Sequence, residues 1–441
     1  MTTTGSFKKS TFWTMGLNIY SLILSLIIGP LTARVLGPEM RGNLGYAESL
    51  ITIFYVFAQF GLRNIIVEEL VKHPEKEEET LGTAFVVRGF TTILAMILVS
   101  LAAIIMRPNN RIIQMATYIE TVSLFFLIYE VLMYWFQGRL YVHHFAIISA
   151  IGLTLQDLFK LYLIFKDPDI YKFAFSNSIR NIFIFVVLFI LFYRMNPGFQ
   201  FRFNKDFAKR YIRRGSQYVL AMLGTEIYYK IDIFMVGNMI DSKNLAFYLV
   251  GINISDMWQT IPISIINNAQ PVIAKYKGKD EEQYMMNYQL LLLGITLLCV
   301  FACLVAMLLG GPVIAFLYGN QYLTSIGVFL IIVWASVFSS LSAARYHWLV
   351  CEKYDRYSKY FVLFGAIMDI VLNYVFILRF GVIGAAISTL ITEACVFFVA
   401  PLLFKETRVS NAIYFSSFKR LPQLRDYMTS MLKRRFLHDK I

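Results

Sequence analysis

Groups that usually carry chemistry are scarce in this sequence: four cysteines and five histidines among 441 residues, with charged side chains at only 16%. Cys299, Cys303, Cys351 and Cys395 form no CxxC pair, and apart from His347 no histidine stands near them in a ligand pattern. Neither a disulfide nor a metal is expected; Cys299 and Cys303 share one helix face and read as packing. No Walker A, HExxH or GxSxG pattern occurs, which argues against ATP hydrolysis and hydrolytic chemistry. An enzyme is therefore not expected, nor a bound cofactor.

What is plentiful is apolar surface. At 58% hydrophobic the chain holds far more of it than an ordinary soluble domain can cover. Crossing about 30 Å of hydrocarbon takes about 20 helical residues. Runs of that length lie near 12–35, 44–66, 82–106, 116–137, 142–165, 171–193, 215–240, 245–270, 288–310, 325–351, 358–378 and 382–404. They lack strict alternation, and lipid requires every backbone group to be satisfied internally, which leaves helices rather than a barrel. The sequence predicts an all-α integral membrane protein of about twelve transmembrane helices. Lys8 and Lys9 before the first run mimic a signal peptide, but the run is span-length and lacks a small-residue cleavage site, so a retained helix is expected.

Basic residues outnumber acidic ones by 41 to 28. The excess gathers after the sixth run, at Arg194, Arg202, Lys205, Lys209, Arg210, Arg213 and Arg214, and again in the C-terminal tail. The positive-inside rule puts both in the cytoplasm, and an even number of spans puts the N-terminus there as well. Basic clusters that adjoin spans suit anionic membrane lipids; nucleic acid is not expected as a partner. In the tail Phe415, Phe418, Leu421, Leu424, Tyr427, Met428, Met431, Leu432 and Phe436 recur at helical spacing, which predicts an amphipathic interfacial helix.

The two halves of the chain resemble each other. ARVLGPEMRGNLGY at 33–46 and FMVGNMIDSKNLAFY at 234–248 align Asn43-Leu44 with Asn244-Leu245, an offset of 201 positions. Further on, at an offset of 213, Gly152 falls opposite Gly365 and Lys160 opposite Asn373. The expected organisation is a six-helix lobe at 1–193, a basic cytoplasmic linker at 194–214, a second six-helix lobe at 215–405 and a basic amphipathic tail at 406–441. Parallel repeats of this kind place a substrate site near mid-membrane where the halves meet, reached by alternating access.

RFGVIGAAISTLITE at 379–393, preceded by LNYVFI at 372–377, is similar to the paired final helices of bacterial polysaccharide flippases of the O-antigen exporter type. These belong to the multidrug/oligosaccharidyl-lipid/polysaccharide exporter superfamily. The segment 229–276 also resembles that family, with Asp232, Gly237, Pro262 and Pro271 in its usual order, and 33–50 resembles its first external turn. The resemblance implies two lobes around a central cavity, in the bacterial cytoplasmic membrane. It further implies translocation of an undecaprenyl-pyrophosphate-linked oligosaccharide from the cytoplasmic to the outer leaflet, with a polysaccharide polymerase as a membrane partner.

Charges inside apolar spans are costly, so each needs a partner or a wet cavity. Arg180 and Lys160, near mid-span in the first half, are candidates to attract a pyrophosphate or an acidic sugar, with an Asp157–Lys160 ion pair as the competing structural role. Arg88 and Arg345 lie about 10 Å inside their spans at helical rise; they either snorkel to the cytoplasmic interface or ring the cavity mouth with positive charge. These four are the candidate substrate-binding residues. Asp232, Asp256, Asp369 and Glu393 in the second half are candidate carriers of a coupling proton or sodium ion. Glu48 is expected to pair with Arg34, and Glu226 with Lys230. Two other functions compete. An ion-coupled multidrug-type antiporter of the same superfamily would favour an acidic cavity, and a membrane glycan polymerase would need longer external loops.

Overall fold

The computed structural model describes residues 3–139 and 141–423; most of the tail's predicted amphipathic face, from Leu424 to Phe436, lies outside them. Among the described residues the structure is helical, with no strand. The helices are α1 Thr3–Gln59, α2 Leu62–Lys72, α3 Glu77–Met106, α4 Arg111–Phe126, α5 Glu130–Gly138, α6 Val142–Lys166, α7 Ile170–Met195, α8 Lys205–Met239, α9 Ser242–Ala274, α10 Glu281–Tyr318, α11 Ser325–Cys351, α12 Ser358–Phe398 and α13 Val409–Ser417. Short polar side chains start several of them. Asn110 accepts from the Ile113 amide, Asp169 from that of Tyr171 and Asn204 from that of Asp206, each filling an orphan donor of a first turn.

Two of the long helices are pairs. The backbone leaves the helical region at Gly37 (φ 71°, ψ 168°) and at Gly381 (φ 57°, ψ −138°), positive angles that a side chain opposes. Eight helical segments are long and apolar enough to cross a membrane. Splitting α1 and α12 at these glycines adds two legs. Helices α8 and α9, long enough but interrupted by residues such as Lys230, Asp232 and Asp256, add two more. Twelve spanning legs are thus present among the described residues, as the sequence predicts.

By packing, the chain falls into two units: Met1–Ala246 with Leu317–Gln321, and Phe247–Phe316 with Tyr322–Ile441. The lobes at 1–193 and 215–405 rest on sequence repeat, a different criterion. What brings α8 into the first unit is direct contact. The Tyr46 hydroxyl receives the Asn238 amide at 3.0 Å, and Arg107 lies 4.7 Å from the Tyr46 ring while donating to the Gly237 carbonyl. The first unit is cored by Leu62, Ile65, Tyr134, Trp135, Phe136, Phe192 and Tyr211, with a smaller cluster around Leu44, Ala47, Ala116, Leu163 and Phe173. In the second unit α11 packs along α12, and α13 docks through Tyr414, edge-on to Phe397 at 5.0 Å, and Ser416, bound to Gln289 at 2.7 Å.

The basic stretch at 194–214 is more ordered than a loop. Residues 205–214 are the opening turns of α8, because Asn204 caps them. Arg202 pairs with Glu78 at 3.1 Å, Arg210 with Glu69 at 3.1 Å and Arg214 with Glu68 at 2.7 Å, so part of the positive excess is neutralised by the protein itself. Glu68, just beyond the second span, accepts from both Lys72 and Arg214, and these bonds hold its carboxyl down to about 2. A carboxylate whose folded-state pKa is depressed stabilises the fold above its ordinary range and loses that contribution as pH falls through the folded value. Wild type is therefore expected to unfold at a higher temperature than Glu68→Gln at neutral pH. The gap should close between pH about 4.5 and pH about 2, and shrink in high salt because the pair is exposed. A gap that persists unchanged below pH about 2 would show that charge is not its source.

Candidate functional site

A cavity of about 260 Å³ opens inside the first unit, lined by Glu48, Ile51, Thr52, Glu120, Ser123, Gln156, Asn177, Arg180 and Asn181. The second arm of α1 supplies Glu48, Ile51 and Thr52, α4 supplies Glu120 and Ser123, α6 supplies Gln156, and α7 supplies Asn177, Arg180 and Asn181. Asn177, Arg180 and Asn181 stand three and four residues apart, which puts them on one helix face. At helical rise Glu120 and Arg180 lie about 15 Å from the starts of α4 and α7, close to the centre of a hydrocarbon core about 30 Å thick. Polar side chains at this depth need internal partners.

Most of them have one. Gln156 donates to the Asn177 carbonyl at 2.8 Å, and Asn177 donates onward to Glu120 at 2.6 Å, a relay that fixes both amides. Asn181 donates to the Ser123 carbonyl at 3.3 Å, and Glu48 accepts from Arg41 at 2.9 Å. Two atoms are left over. The second carboxylate oxygen of Glu120, a residue only 2% exposed, has no hydrogen-bond partner, and neither has Arg180 Nε.

Acidic and basic side chains stand around this cavity in equal number. Lys160 is half-buried with Glu48, Asp157, Arg41 and Glu120 as its charged neighbours, and Asp157 in turn faces Lys160 and Arg180. Among the described residues no ion pair closes between Asp157 and Lys160, nor between Glu226 and Lys230, and the partner of Glu48 is Arg41, about two turns before it, rather than Arg34. The structure thus brings Arg180 and Lys160 together, but in company with acids. Glu120, Gln156, Asn177 and Asn181 were not among the sequence candidates. The signal for Asn177 and Asn181 was SNSIRN at 176–181, a polar stripe within an apolar run.

Arg88 and Arg345 neither snorkel nor face this cavity. Arg88 is fully buried, 2.7 Å from Glu130, whose carboxylate also receives the Tyr55 and Tyr134 hydroxyls. Arg345 is 3% exposed and donates to the backbone carbonyls of Val396, at 2.9 Å, and Phe397, with the Phe361 and Phe397 rings against its guanidinium. Both cations lie deep enough that reaching water would abandon these bonds. They hold helices together: Arg88 ties α3 to α5, and Arg345 ties α11 to the end of α12.

The second-half carboxylates are dispersed. Asp369 is the most enclosed by polar groups, accepting from Asn373 at 2.9 Å and from Ser388 and Thr392 across the break at Gly381. Its side-chain bonds show that the two arms of α12 run side by side. Asp232 is buried, with one oxygen 2.8 Å from the Ile233 amide, Asp256 is exposed and Glu393 half-buried.

Twelve spanning helices with a polar cavity at mid-depth, lined by acids and bases together, define a multi-pass membrane protein of the transporter type. Solved structures bear out the fold. The chain is similar to the lipid II flippase MurJ in an inward closed conformation, at 14% identity and a TM-score of 0.70, covering 95% of this chain and 93% of that one. It is similar to an inward-facing multidrug resistance MATE family transporter of the MOP superfamily, at 12% and 0.67, covering 92% and 96%. A MOP superfamily transporter from Pyrococcus furiosus matches at 12% and 0.53, covering 94% of each chain. The chain belongs to the polysaccharide biosynthesis protein family, whose model matches residues 31–327. No curated protein sequence matches it.

Proposed function

We propose that the protein is a flippase that carries an undecaprenyl-pyrophosphate-linked oligosaccharide from the cytoplasmic to the outer leaflet of the bacterial cytoplasmic membrane. Family membership supports a role in polysaccharide biosynthesis, and the fold supports transport. The observation that carries the reading is the mid-depth cavity lined by the polar side chains of Glu48, Thr52, Gln156, Asn177, Arg180 and Asn181. Each sugar hydroxyl stranded in hydrocarbon would cost several kcal/mol, roughly 4–8 against an alkane reference, so a glycan needs polar groups along its route. Alternating access would rock the repeat at 1–193 against that at 215–405, with both termini in the cytoplasm. The unneutralised basic residues of the linker and tail would rest on anionic lipid headgroups, and a polysaccharide polymerase would take the product. If transport is coupled to a proton or sodium gradient, Asp369 is the best-enclosed carboxylate among the four candidates.

The test is a deletion strain assayed for lipid-linked repeat units. Loss of the protein should leave them accumulating on the cytoplasmic side, and wild-type protein should restore surface glycan, whereas Arg180→Ala should restore it at least about tenfold less well by loss of a charged hydrogen-bond donor. Normal surface glycan in the deletion strain would sink the proposal. The acids in the cavity favour one rival, a multidrug-type antiporter resembling the MATE neighbours, and lost drug resistance with intact surface glycan would support it.

A further inference from the structure

We infer that α8, although it opens the second sequence repeat, travels with the first moving body, so that the joint of alternating access lies after α8 and not in the basic linker before it. This deepens the flippase reading and rests on its alternating access. If the two repeats were themselves the rocking bodies, the chain between them would have to flex. It is instead tied to the start of α3. Arg202 pairs with Glu78 at 3.1 Å, and its amide donates to the Glu78 carbonyl at 3.2 Å. Two residues on, the Asn204 amide donates to Thr83 Oγ1 at 2.9 Å and its side chain to Glu79 at 2.8 Å. A β-carbon on Gly82 would collide with the Arg202 backbone, so the two chains also touch directly.

The helix itself is clamped at both ends. At its basic end Phe207, Ala208 and Tyr211 belong to the hydrophobic core of the first unit, and Tyr211 has no solvent exposure. Beside them Arg210 and Arg214 pair with Glu69 and Glu68 of α2, and Gly215 lies so close to the Phe60 carbonyl that no side chain would fit. At the opposite end the Tyr46 ring stands edge-on to Phe234 at 5.2 Å, its hydroxyl takes the Asn238 amide at 3.0 Å, and Arg107 donates to the Gly237 carbonyl. Arg214 and Gly237 are about 35 Å apart at helical rise, more than the roughly 30 Å of a hydrocarbon core. Rocking about a point near mid-membrane parts one end of an interface as it closes the other. A helix riding on the second body would therefore tear itself out of a close-packed contact in every cycle, whereas one riding on the first breaks neither clamp. The first unit ends by packing at Ala246, just inside α9, and the backbone leaves the helical region at Ile240 (φ −116°, ψ −96°). The turn from α8 into α9 is where the joint falls.

The experiment uses the full chain with its four cysteines replaced by alanine, reconstituted in vesicles with a fluorescent undecaprenyl-pyrophosphate-linked repeat unit. Glu68→Cys with Arg214→Cys, both exposed enough to be reached, are bridged by a short bis-thiosulfonate that a reductant removes. The bridged protein is expected to move the lipid across the bilayer within about twofold of the rate after reduction, because the cycle does not part these helices. A fall of about tenfold or more that reduction reverses overturns the inference, since the basic end of α8 would then have to leave α2. A second pair reads the same point without a bridge: nitroxides on Lys72→Cys and Arg213→Cys, both exposed, should keep a single distance with and without the lipid. A second distance that appears with the lipid overturns the inference too. Unbridged protein that moves no lipid sinks the flippase reading instead.

Discussion

Replacing Arg88 by alanine is expected to lower the stability of the folded protein by about 3–5 kcal/mol, the cost of removing one partner from a buried ion pair. Nothing else in its surroundings could compensate. Arg88 has no solvent exposure, Glu130 lies 2.7 Å from it, and the hydroxyls of Tyr55 and Tyr134 are already committed to the same carboxylate. Without the guanidinium, Glu130 is left as an uncompensated charge inside the first unit, where it is buried. The double substitution Arg88→Met with Glu130→Leu should recover most of the loss, because exchanging a whole buried pair for hydrophobes of similar volume is often near neutral. Thermal unfolding of wild type, both single variants and the double variant in detergent closes the cycle. Additive losses would mean that the two residues act independently. A variant of unchanged stability but reduced transport would return Arg88 to the cavity mouth where the sequence suggested it could lie.

The second large effect is at Gly384. A β-carbon built there would lie 2.0 Å from the Phe376 carbonyl oxygen and 2.4 Å from its carbon, on the opposing arm of α12. Because the obstacle is backbone and not a flexible side chain, Gly384→Val must push the arms apart. Overpacking costs about 1–3 kcal/mol in ordinary cores and more where backbone moves. Here it would also stretch the bonds from Ser388 and Thr392 to Asp369 that cross the same seam. Gly381→Ala is the informative contrast: its φ of 57° is unfavourable for alanine, yet no atom lies within 4 Å of the added carbon. It should cost about 1–3 kcal/mol of backbone strain, less than Gly384→Val. Folded yield by size exclusion and unfolding temperature rank the two. The reverse order would show that close approach of the arms is not what holds this pair together.

The span pattern was legible in the sequence because an apolar run of about 20 residues has few alternatives in water or lipid. Even the turn between the last two legs was visible, at the glycine of RFGVIGAA. Charge partners were much less legible. Arg88 and Glu130 are 42 positions apart on helices whose rotation the sequence does not specify, so Arg88 read as a residue near a span end. Arg345 misled for a related reason, since its partners are backbone carbonyls at the end of α12 and leave no trace in residue type. The basic stretch after the sixth span was correctly found as a cluster, but its pairing with Glu68, Glu69 and Glu78 depended on where α8 begins.

The sequence alone determined that this chain crosses a membrane many times, where it turns, and that polar residues interrupt its spans. Hydrophobicity and glycine placement are local properties, and they act on the chain one segment at a time. Only the tertiary structure decided which of those polar residues share a cavity. It placed Arg180 and Lys160 among Glu48, Glu120 and Asp157, so that a site expected to be cationic holds acids and bases together, and it sealed Arg88 and Arg345 into helix contacts. The physical reason is that an interior charge takes its meaning from neighbours a few ångströms away, and helix rotation and packing, not spacing along the chain, choose those neighbours.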